Sequence, residues 1–140
     1  MTREYKINIQ GYYKDDSRSF FPASPIIYFV YRGKYDVECH TCTLKELLYI
    51  GDSKNAYETL NDNRLNTLFS ERLAEHESLF YAVSFTDLAE DKRRMIVQAL
   101  IYELKPSLNT DIFPKPSSVT IIIEGNSHAF VPARIEAPSF

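Results

Sequence analysis

The chain has no run of about eighteen apolar residues and no charged-then-apolar leader, so neither a membrane-spanning helix nor a secretory signal is expected. A cytoplasmic protein with no membrane partner is the resulting expectation. Excess positive charge is also missing. The 16 Lys and Arg against 19 Asp and Glu give a formal net charge of −3, whereas sequence-independent affinity for nucleic acid comes from neutralised phosphates. Binding of that kind therefore needs a local basic patch. Cysteine is scarce: Cys39 and Cys42 flank His40 and Thr41, and no second pair follows. A zinc site takes about four ligands, which only His76 and His128 remain to complete. Two reduced cysteines in the loop of a hairpin are the simpler reading, and no cofactor is expected.

What is present suffices for a core. With 140 residues, 44% of them apolar and 14% aromatic, the chain fits one domain spanning 1–140. Residues 4–10 alternate, with Tyr5, Ile7 and Ile9 on one face, as in a half-buried strand. A loop follows to Pro25, with Phe20 and Phe21 expected to anchor it to the core. Residues 26–31 form a near-continuous apolar run, the pattern of a central strand. A long charged connection over 32–45 then leads to a second strand at 47–50.

Residues 55–76 read as helix, with Leu65, Leu68, Phe69 and Leu73 at helical spacing and a break near Asn61-Asp62-Asn63. A third core strand runs from 79 to 85. Asp87 and Glu90 suggest a capping box opening the longest helix, which ends before Pro106 and carries Val97, Leu100, Ile101 and Leu104 on one face. A connection over 109–118 contains Pro114 and Pro116. Residues 119–124 form a β-branched strand, Gly125-Asn126 a turn, and 129–135 a further extended piece. The terminal strands are expected to extend the central sheet, because each alone leaves an apolar face exposed.

Two stretches carry specific motifs. Tyr49-Ile50-Gly51 is followed by Ser53 and Asn55, with Pro25-Ile26-Ile27-Tyr28 upstream; Ala99-Leu100-Ile101-Tyr102 leads to Lys105-Pro106 and Asn109. In this order, flanking Phe80-Tyr81-Ala82-Val83, they resemble the GIY-YIG nuclease family over about residues 25–110, with extensions at 1–24 and 111–140. The resemblance implies an α+β fold, a central antiparallel sheet flanked by helices. It also implies hydrolysis of DNA phosphodiesters with one divalent metal ion, Mg or Mn. In that chemistry a tyrosine positions or activates water, an arginine stabilises developing charge, and a glutamate holds the metal. Tyr28 and Tyr49 match the family tyrosines, and Asn109 matches the closing asparagine.

The charged positions depart from the pattern. The arginine should fall at Thr59 and the metal-binding glutamate at Val97, whose side chain offers no oxygen to a hard cation. Ile26 stands where the family has glycine. Arg64, five residues past Thr59, lies about 140° around a continuous helix and substitutes only if the helix breaks between them. Glu103 lies about 120° off the Val97 face. The preferred reading is a catalytically degenerate GIY-YIG-like domain that binds DNA, RNA, a nucleotide or a protein partner through the inherited cleft, with Ser53, Lys54, Asn55 and Asn109 as binding residues. An active endonuclease using Tyr49 with Arg64 and a pure protein-interaction module are the alternatives. Lys92-Arg93-Arg94 with Lys105 reads as a solvated helix face before it reads as a phosphate site. Asp52 and Glu58 beside the site disfavour phosphate.

Overall fold

A computed structural model describes residues 3–110, 118–125, 127 and 129–137. The chain runs through β1 (Arg3–Lys14), a 3-10 turn (Asp15–Phe20), β2 (Ile26–Asp36), β3 (Thr41–Ser53), α1 (Ala56–Leu60), α2 (Asn63–Ser70), β4 (Ser78–Phe85), α3 (Glu90–Leu104), β5 (Val119–Gly125) and β6 (Arg134–Ala137). The architecture is α+β. Six strands form one sheet in the order β3-β2-β4-β1-β5-β6. All neighbours are antiparallel except β1 and β5, which run parallel.

The apolar run on β2 is explained by its place between β3 and β4, where both sheet faces are covered and Ile26 through Tyr31 are all buried. One face carries Ile27, Phe29, Tyr31 and Ile50 with Ile96, Val97 and Leu100 of α3. The other carries Tyr28, Val30, Tyr81 and Val83 with Leu60 and Phe69 from α1 and α2. Strand β1 links the two halves of the sheet. Its first part ladders with β5 from Arg3↔Val119 to Ile9↔Gly125, and its last part with β4 from Gln10↔Val83 to Lys14↔Phe80. Gly125 is required at that junction: its φ is +96°, and a Cβ there would lie 2.2 Å from the Ile9 carbonyl oxygen. The terminal strands thus extend the central sheet.

Several expectations change. The connection over 32–45 is short: β2 and β3 stay paired out to Asp36↔Thr41, and only 37–40 turn. Asp36 supplies the turn chemistry by accepting hydrogen bonds from the backbone N–H groups of Glu38 and Cys39 at 2.9 and 3.1 Å. Phe21 is buried, but Phe20 is 85% exposed. The helix over 55–76 breaks where expected: Asp62 accepts from the N–H groups of Arg64 and Leu65 as the N-cap of α2. No helix continues past Ser70.

The Asp87/Glu90 capping box does not form. Helix α3 starts at Glu90, behind an Ala89 cap with no side-chain bond, because Arg93 donates to the Leu88 carbonyl at 2.8 Å and Thr86 accepts from the Leu88 N–H. At its other end Lys105 takes a left-handed conformation before Pro106. The extended piece at 129–135 is a turn followed by β6, which begins at Arg134. Pro114, Pro116, Asn126 and His128 lie outside the described residues. No helix among the described residues is long and apolar enough to cross a membrane.

Candidate functional site

Strand β3 lies at the sheet edge and needs partners for its outer backbone groups. The segment after α3 supplies them. The Leu108 N–H donates to the Leu48 carbonyl at 2.8 Å; the Asn109 side chain accepts from the Ile50 N–H at 2.9 Å and donates to the Ile50 carbonyl at 3.0 Å. Asn109 therefore acts as a strand residue in side-chain form. Between this strap, the end of β3 and α3 lies an open cleft of about 520 Å³.

Tyr28, Tyr49 and Asn109 meet there, across from Arg94, Val97 and Gln98 of α3. Gly51 makes the tyrosine arrangement possible. It pairs with Tyr28 across the strands, and a Cβ at position 51 would lie 2.6 Å from the Tyr28 ring and hydroxyl. The ring occupies the space a side chain would take. Tyr49 sits 6.0 Å from Tyr28 by ring centroids and 5.3 Å from Phe69, which wedges it between the two. Burial pushes the Tyr28 phenol well above the usual tyrosine range, and the neighbouring Tyr49 and Asp52 push the same way. A phenol so held stays protonated and donates hydrogen bonds; it is a poor source of phenolate.

Helix α3 supplies the cationic side chains near the cleft. Arg93 is 5% exposed and faces Asp52, with Nε 3.5 Å from the carboxylate; that Nε has no hydrogen-bond partner. Arg94, at the cleft wall, bridges to Glu90 at 2.8 Å. Asp52, expected to repel anions, is thus opposed by a buried guanidinium. It is also the single carboxylate among the described lining residues. Its charge is directed toward Arg93.

Ser53 and Asn55 are occupied in building the strand-to-helix turn. The Asn55 N–H donates to Ser53 Oγ at 2.9 Å, and Asn55 Oδ1 caps α1 by accepting from the Glu58 N–H. Ser53 Oγ also shares a 2.6 Å hydrogen bond with Thr59 Oγ1. Lys54 is exposed, and neither it, Ser53 nor Asn55 lines the cleft. Arg64 is at the start of α2 with its side chain 93% exposed, 3.6 Å from Asp62, and outside the lining. The break between α1 and α2 does not turn it inward.

Arg94 and Gln98 are the lining residues that motif matching passes over as site residues. They sit one helical turn apart on α3; the cationic run 92–94 marks the first, and its i,i+4 neighbour is the second. The cysteines lie elsewhere: Cys39 is exposed in the hairpin turn, and Cys42 is on β3 opposite Tyr35. Burial pushes the Cys42 thiol up, the opposite of a reactive thiolate. Among the described residues no group of three His, Cys, Asp or Glu side chains converges on a metal position. Compared with protein-family models, with curated proteins and with solved structures, the chain matches none.

Proposed function

We propose that the chain is a GIY-YIG-like domain that binds a ligand in the Tyr28/Tyr49 cleft without hydrolysing it. One observation carries this reading. The tyrosine pair and Asn109 frame the same opening as Val97, which puts an isopropyl group at the position where the family holds its metal. Thr59, at the arginine position, is bonded to Ser53. The cleft offers phenol, amide and guanidinium groups from Tyr49, Gln98, Asn109 and Arg94, a set suited to hydrogen-bonding a nucleic acid, a nucleotide or a peptide. Such a domain would regulate or block a nuclease system by occupying its substrate.

The test incubates labelled DNA and RNA with the protein and Mg²⁺ or Mn²⁺ at low salt. Binding without cleavage, weakened by Arg94→Ala with Gln98→Ala, is the expected result. Cleavage that disappears in Tyr49→Phe means an active endonuclease instead. Absence of any nucleic-acid binding leaves a protein-interaction module.

A further inference from the structure

A second opening lies on another part of the sheet and shares no lining residue with the tyrosine cleft. It exists because β1 changes partner along its length. Over Glu4–Asn8 the strand ladders with β5 on one side, while its pairing with β4 begins only at Gln10. Beyond Phe85 the chain leaves β4 and turns through Thr86 and Leu88 toward α3. The polar groups of that turn are directed elsewhere: the Thr86 N–H donates to the Pro25 carbonyl, and the Leu88 N–H to the Thr86 hydroxyl. A groove of about 890 Å³ remains between Glu4–Asn8 and the end of β4.

Alternate residues of a strand direct their N–H and C=O groups to opposite edges, so part of the Glu4–Asn8 backbone faces this groove, an edge about 16 Å long with no strand partner among the described residues. Its side chains add two further features. Glu4 and Asp87 line it with one cation, Lys6. At one end Phe85, 43% exposed, is shared with a smaller apolar pocket of about 250 Å³ that also includes Phe20, Phe21 and Pro22.

We infer that this groove takes an extended peptide strand from a partner protein, one that pairs with the β1 backbone, seats an apolar residue against Phe20 and Phe85, and carries Lys or Arg toward Glu4 and Asp87. Main-chain hydrogen bonds supply the affinity of such strand addition, and alternate side chains supply its selectivity. Among the described residues the edge has no strand partner, and two carboxylates against one lysine favour a basic strand over an acidic one.

The probe is a synthetic peptide alternating valine and lysine and ending in phenylalanine, followed by amide hydrogen exchange on the whole chain. Binding is expected to slow exchange within Glu4–Asn8. Affinity should fall about tenfold when the peptide's alternate amides are N-methylated, and by a similar factor when Glu4→Lys and Asp87→Lys reverse the rim charge, an exposed pair whose change leaves the fold intact. No binding overturns the inference. So does undiminished affinity of the methylated peptide or of the charge-reversed protein. Edge amides already protected in the free protein, alone or through self-association, overturn it as well.

Discussion

Gly51 is required by the side chain that lies over it. The Tyr28 ring is 3% exposed and fills the space above the glycine, so Gly51→Ala should destabilise the fold by about 1–3 kcal/mol through overpacking. Tyr28→Ala alone should cost about 3–5 kcal/mol by leaving a cavity. The double variant should cost less than the sum, because a new methyl group enters the space the ring leaves. Denaturant titration of the four proteins measures the coupling; strict additivity would mean that the ring and the methyl do not compete. In the sequence Tyr28 and Gly51 belong to separate motif stretches. That the two residues stack on each other follows only from the β2–β3 register.

Elements in this chain are stabilised by polar side chains acting as backbone. Asn109→Ala removes two hydrogen bonds to Ile50 and should cost about 1–3 kcal/mol, with faster amide exchange at Ile50 and Leu108. Unchanged exchange at both positions would show that the strap does not depend on the amide. Asp62→Ala should cost about 1 kcal/mol and loosen α2, a loss readable as reduced helicity.

The strands were legible because their neighbours agree with their own pattern. The β2 run, the β1 alternation and the β5 β-branched stretch each match the burial of the strand they form. The start of α3 was not legible. Asp87 and Glu90 have capping-box spacing, but the N-cap is Ala89, and the bond that holds the entry is from Arg93 back to the Leu88 carbonyl, a side-chain reach that the capping-box pattern does not encode. Position along the chain likewise brought Tyr28, Tyr49 and Asn109 together. It did not locate Arg94 and Gln98, whose place in the cleft depends on how α3 packs across β3, nor keep Arg64 out of it.

For the molecule as a whole, stability is bounded on both sides by ionisable groups whose surroundings in the fold favour one protonation state. Glu77 is held below the usual carboxylate range by the Ala74 N–H and by Arg32, and Glu46 by Arg32. Their contribution is present above the unfolded carboxylate value of about 4.3 and is lost as pH falls below it. On the alkaline side burial raises the Tyr28 and Tyr31 phenols and pushes Tyr81 up to about 12. That contribution is present below the unfolded tyrosine value of about 10 and is lost as pH rises above it. Thermal melts across pH should show a plateau between these limits, and Glu77→Gln should lower it by about 1.5–3 kcal/mol and flatten the acid limb. An unaltered acid limb in that variant would place the acid sensitivity in other groups.

The same whole-molecule view ties the sheet to its cleft. The antiparallel strands β3, β2 and β4 bring the tyrosines to an edge where α3 offers Arg94 and Gln98 but no carboxylate for a metal. The most direct measurement follows the fate of labelled DNA and RNA incubated with the chain and Mg²⁺ or Mn²⁺ at low salt, beside the Tyr49→Phe variant. The expected result is retention of intact nucleic acid on the protein with no metal-dependent products. Strand scission by the unaltered chain that is abolished in Tyr49→Phe would contradict a binding domain without hydrolytic activity.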